Sequence, residues 1–132
     1  MRHHTAAVTA AALVLAACSN PPPDLVPLSR ADIETLPPGA GCSLERGGDT
    51  LLVAMIGDGA AVARTDEGLV RLTYEGEEMF DGGRFAPRGR GPVIEITPAG
   101  EETAHDYTTA RDAVLAIDGR PHPVPGEWVC GA

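Results

Sequence analysis

The chain contains no lysine. Its ten basic residues are all arginine, set against 19 Asp and Glu, for a net charge of −9. Such a balance argues against nucleic acid, which wants a basic face, and against electrostatic docking on anionic lipid. It favours a cationic partner, whose encounter an acidic surface speeds. Aromatic residues are also few: Trp128, Tyr74, Tyr107, Phe80 and Phe85. With Trp128 placed in the core, little remains for stacking on sugars. No Gly-x-Ser-x-Gly elbow, His-Glu-x-x-His pair or phosphate-cradling loop occurs. Of the four histidines, His3 and His4 sit at the start, leaving His105 and His122. The longest apolar run, from Ala6 to Ala17, is too short for the roughly 20 residues that cross a bilayer. With few histidines and no activated nucleophile, the chain is expected not to be an enzyme, and no cofactor or metal is expected.

What is present begins at that run. Met1, Arg2, His3 and His4 form a small cationic head, and only Thr9 interrupts the Ala, Val and Leu that follow. This is the layout of a secretory signal with small residues before the cut. Leu15-Ala16-Ala17-Cys18 resembles the lipobox of bacterial lipoproteins. The resemblance implies that 1–17 is removed and that Cys18 becomes the first mature residue. Cys18 would then carry acyl chains that anchor the protein to the membrane, at about 0.8 kcal/mol per buried methylene. It implies a lipid-anchored protein in the cell envelope, facing the periplasm. Ser19 after Cys18, where Asp retains many enteric lipoproteins at the inner membrane, points to the outer membrane.

Residues 18–41 read as the lipidated Cys and a tether. Pro21, Pro22, Pro23, Pro27, Pro37 and Pro38 favour extended geometry, with one helical turn capped by Ser29 and ended by Pro37. With Cys18 lipidated, Cys42 and Cys130 remain as an even pair in an oxidising compartment. They bracket residues 42–132, a β-rich domain, and are expected to form a disulfide joining its first and last strands. Turn dipeptides recur there at short intervals, among them Asp58-Gly59, Glu67-Gly68 and Asp118-Gly119. Between turns lie apolar or alternating runs at 50–56, 60–65, 69–74, 93–97, 113–117 and 127–130. Short strands with Gly turns predict an all-β fold, a small antiparallel barrel or sandwich of about seven to eight strands. Trp128 and Cys130 share a face by the period of two, which places Trp128 inside. Residues 101–112 fit a helical turn, a loop or a frayed strand.

Two polar groups invite chemistry. Glu101, Glu102, His105 and Asp106 would fall at metal-ligand spacing on a helix, but a solvated loop explains them better. Glu75, Glu77, Glu78 and Asp81 are acidic without the EF-hand spacing, and read as a charged turn. Residues 81–91 hold the only basic cluster, Arg84, Arg88 and Arg90, beside Asp81 and Phe85. Arginine suits bidentate recognition of carboxylate or phosphate. These five are the candidate partner-binding residues, with a flexible hydrated hairpin loop as the bland reading.

From Cys42 to Cys130 the layout resembles the membrane-bound lysozyme inhibitors of the c-type family. Asp81-Gly82-Gly83-Arg84-Phe85 stands in place of that family's Ser-Gly-x-Arg/Lys-Tyr loop. Ala113 to Gly119 resembles its late strand, and Cys130 its closing Cys. The resemblance implies an eight-stranded antiparallel barrel whose loop enters a lysozyme cleft. The chain departs from the pattern at Asp81 for Ser, Phe85 for Tyr, and Ile96-Thr97-Pro98-Ala99-Gly100 where Trp-Thr-Lys-Gly is expected. The inhibitory Lys is therefore missing. The sequence leaves two expectations for function: a non-enzymatic envelope lipoprotein that binds a lysozyme-like or other cationic protein, or a structural or assembly accessory lipoprotein.

Overall fold

A computed structural model describes residues 24–131, so Cys18 and the leader lie outside the described residues. The fold is a closed antiparallel barrel. Strands β1 (Gly41–Arg46), β2 (Asp49–Met55), β3 (Ala60–Thr65), β4 (Gly68–Glu75), β5 (Gly83–Pro87), β6 (Ile94–His105) and β7 (Thr108–Ile117) follow one another around it. A short extra strand, β8 (Arg120–Pro121), pairs with the end of β7, and β9 (Gly126–Gly131) lies between β7 and β1. The β6–β7 and β1–β9 pairings close the ring, so eight strands form the barrel and β8 stands outside it.

Closure follows from alternation. Leu44, Leu52, Leu72, Phe85, Ile94, Ile96, Leu115, Ile117 and Trp128 point inward and are almost completely buried. Tyr74, Phe85 and Trp128 form a chain of tilted rings, with centroids 5.2 Å and 5.9 Å apart. The Trp128 indole N–H donates to the Met79 carbonyl at 2.8 Å. Met79, on a 3-10 turn at Met79–Asp81, is buried in the same core. Gly82, at φ 72°, ends that turn where a side chain would run into the Ile96 carbonyl. Cys42 and Cys130 face each other across β1 and β9 and are joined by a disulfide, with Cα atoms 4.0 Å apart. Trp128 lies on their inward face, as the period of two predicts.

The expected tether of 18–41 is described from Asp24 onward, and this part is docked rather than extended. Leu25 is 3% exposed and belongs to the core. Pairing of β2 with β3 starts at Leu52 and Ala63. Beyond that point Val26 N–H donates to the Arg64 carbonyl and Leu28 N–H to the Thr50 carbonyl, both at 2.8 Å. The segment is thereby wedged at the ends of β2 and β3. It continues into α1 (Arg30–Ile33), whose Ser29 cap forms a capping box with Asp32. The cap is where the sequence places it. The docking has a plain cause: leucines at 25 and 28 gain burial that a solvated tether denies them.

Asp32 fastens this strap. Arg64 Nε and Nη2 donate to its two carboxylate oxygens at 2.9 Å and 2.7 Å, a fork that suits guanidinium geometry. The Arg64 bonds, followed by the Ser29 backbone N–H, hold the Asp32 carboxyl well below the usual carboxylate range. A depressed folded pKa means the stabilisation is complete above the ordinary carboxylate pKa. It is lost as pH falls toward the lowered value. Asp32→Asn is expected to loosen residues 24–36 at neutral pH, read as faster amide exchange there with the barrel amides unchanged. Equal protection in the variant would show that the ion pair does not hold the strap.

Candidate interaction surface

The meander places the β2–β3 turn, the β4–β5 connection and the β6–β7 hairpin at one end of the barrel. Each brings carboxylates. Asp58 comes from the first, Glu75, Glu77, Glu78 and Asp81 from the second, and Glu101, Glu102 and Asp106 from the third; all are exposed. Two aromatic side chains stand among them: Phe80, 42% exposed, and Tyr107, 88% exposed at the hairpin tip. Basic groups at this end have acidic neighbours. Arg84 Nε lies 3.4 Å from Glu75, and Arg111 Nη1 lies 3.9 Å from Asp81. The acidity is felt inside the rim. Burial first, then the carboxylates of Asp81, Glu78 and Glu77, raise the Tyr74 phenol above its ordinary pKa. Its hydroxyl donates to the Gly82 carbonyl at 2.7 Å.

The five residues expected to form one partner-binding loop are separated, which corrects that expectation. Residues 83–87 are a strand, paired with β4 through Tyr74–Phe85 and Glu75–Arg84 and with β6 through Gly83–Ile96. Alternation then decides each side chain. Phe85 points inward and is fully buried, so it is a core residue and not a contact for a partner. Arg84 points outward beside Glu75, and Asp81 ends the 3-10 turn at the acidic end. Arg88 and Arg90 are exposed in the β5–β6 turn at the opposite end. There Arg90 lines a shallow cleft with Asp66, Glu67 and Asp118.

The stretch left open at 101–112 is the distal part of the β6–β7 hairpin. The register shifts by two residues between Ala99 and Thr103, and Asp106 turns the chain at φ 54°. Glu101, Glu102 and His105 are thus spread along a strand, not gathered on a helix face. Among the described residues no three or more His, Cys, Asp or Glu side chains are placed to hold a metal ion. Tyr107 is counted in the sequence among the few aromatics, but its place at an exposed hairpin tip is not read there; the usable signal was Asp106, which tolerates left-handed backbone, and the β-branched Thr108 and Thr109 beyond Tyr107.

No protein-family model matches this chain, and no curated protein or solved structure matches it either.

Proposed function

We propose that this chain is a non-enzymatic lipoprotein of the cell envelope, anchored through Cys18, whose barrel binds a cationic protein at its acidic end. A lysozyme-like muramidase is the specific candidate. The observation that carries the reading is the convergence of carboxylates from three connections around exposed Phe80 and Tyr107. Carboxylates steer a basic partner and exclude acidic ones, while the aromatics supply contact area. The filled interior supports recognition on the outside of the barrel. The lipobox and the residue after it, Ser19, favour the periplasmic face of the outer membrane.

The lysozyme candidate rests on charge, on the eight-stranded barrel and on the resemblance in layout. It no longer rests on an inserted loop, because Phe85 is buried and Arg84 is beside Glu75. The test mixes residues 19–132 with a c-type lysozyme and follows muramidase activity and binding at two salt concentrations. Binding that weakens with salt, and weakens again in the Glu77→Gln/Glu78→Gln variant, is expected. No binding and no inhibition at micromolar protein removes the lysozyme reading and leaves the accessory role.

A further inference from the structure

We infer that the acidic rim is the membrane-distal end of the barrel, presented to partners arriving from the aqueous side, and that the strap enforces this posture. The inference rests on the proposed lipidation of Cys18 and requires nothing about which protein binds.

The chain enters the barrel at the end opposite the acidic rim. Asp24 lies 3.2 Å from His122 Nε2 and 3.3 Å from Arg46 Nη2, beside the β1–β2 turn and the end of β8. Leu25 enters the core there, Val26 and Leu28 bond to Arg64 and Thr50, and Asp32 locks onto Arg64. Only residues 19–23 separate Asp24 from Cys18. Covalent geometry limits six Cα–Cα steps to about 20 Å, at roughly 3.3–3.6 Å each.

The barrel is longer than that. The ten residues of β7, at about 3.3 Å each and a tilt of roughly 35–45°, span about 25 Å along the axis. An inverted posture, with Tyr107 on the lipid, would need residues 19–23 drawn out to nearly their full length along the barrel wall, whereas the entry-end posture needs no such extension. Carboxylates at that rim would also be repelled by anionic headgroups. Had residues 24–40 been free, the leash would extend over the whole span from Cys18 to Gly41 and permit either posture. The docked strap therefore decides which surface is offered. It fits a cationic protein in solution or at the cell wall, not a lipid surface.

The experiment uses full-length lipidated protein in vesicles of phosphatidylethanolamine and phosphatidylglycerol. A single added cysteine takes a donor dye: Gly89→Cys at the entry end or Tyr107→Cys at the rim. Arg90→Cys and Glu102→Cys serve as a second pair if either variant fails to fold. Energy transfer to acceptor dye on lipid headgroups is expected to be several-fold higher from the entry end. Adding Asp32→Ala to the rim variant is expected to raise its transfer. Equal or reversed transfer from the two ends overturns the orientation while leaving the anchor intact. Intact mass showing no lipid on Cys18 overturns the anchor and the orientation together.

Discussion

Replacing Cys130 by Ser is expected to cost about 2–5 kcal/mol and to leave little folded barrel at growth temperature. The bond joins β1 to β9, the first and last strands, and closes a separation of 88 residues. Without it the reduced chain regains the conformational freedom of that whole loop. The folded state keeps the β1–β9 ladder, from Gly41–Gly131 to Glu45–Glu127, but that ladder must then pay the full closure entropy alone. Cys42→Ser is expected to match Cys130→Ser, and the double variant to cost no more than either single one, because one bond is lost in every case. Denaturant unfolding of the three soluble forms from residue 19 measures this. Additive losses would mean that the thiols stabilise through their own packing instead.

Phe85→Ala is expected to destabilise by about 3–5 kcal/mol. The ring is fully buried and packs edge-on against Trp128 and tilted against Tyr74. Its removal leaves a cavity in a row of aromatics whose last member, Trp128, donates to Met79 and so fixes the 3-10 turn at the barrel end. The loss is therefore expected to spread: Met79 and the turn carrying Phe80 and Asp81 should lose amide protection before the β2–β3 region does. A Phe85→Leu change, retaining most of the volume, should recover the greater part of the stability. The measurement is thermal unfolding with exchange mapping. Wild-type stability combined with a selective loss of partner binding would return Phe85 to the surface role its neighbours suggest in the sequence.

That residue shows where sequence reading reaches its limit. The run at 60–65 coincides with β3, and those at 50–56 and 69–74 fall within a residue or two of β2 and β4, because apolar side chains and Gly turns mark them. Strand β5 was hidden. Only Phe85 and Ala86 are apolar within Gly83-Arg84-Phe85-Ala86-Pro87, and the glycines and arginines around them read as loop. Its pairing comes from neighbours on both sides, which no local pattern reveals. Residues 101–112 stayed ambiguous, with a frayed strand among three alternatives, for another reason. The hairpin extends past the core, so most of its positions are exposed and the alternation that signals a strand disappears. The helical turn at Ser29 was legible from its cap. Its docking was not, since the bidentate Asp32–Arg64 contact joins residues 32 positions apart. The acidic end followed from composition only as a bias; the meander is what gathers its carboxylates onto one rim.

The link between Cys42 and Cys130 also alters how the protein responds to proteases. A single cut in any turn from Gly47-Gly48 to the β8–β9 connection leaves two fragments still covalently joined. Separation there requires a second cut or a reductant. A cut before Cys42 acts differently, because no crosslink spans it. One cleavage ahead of the docked strap, before Leu25, frees the barrel from whatever holds the amino terminus, with the ring of strands intact. On the proposed anchoring through Cys18, the held and the released forms of the same folded domain are thus one peptide bond apart.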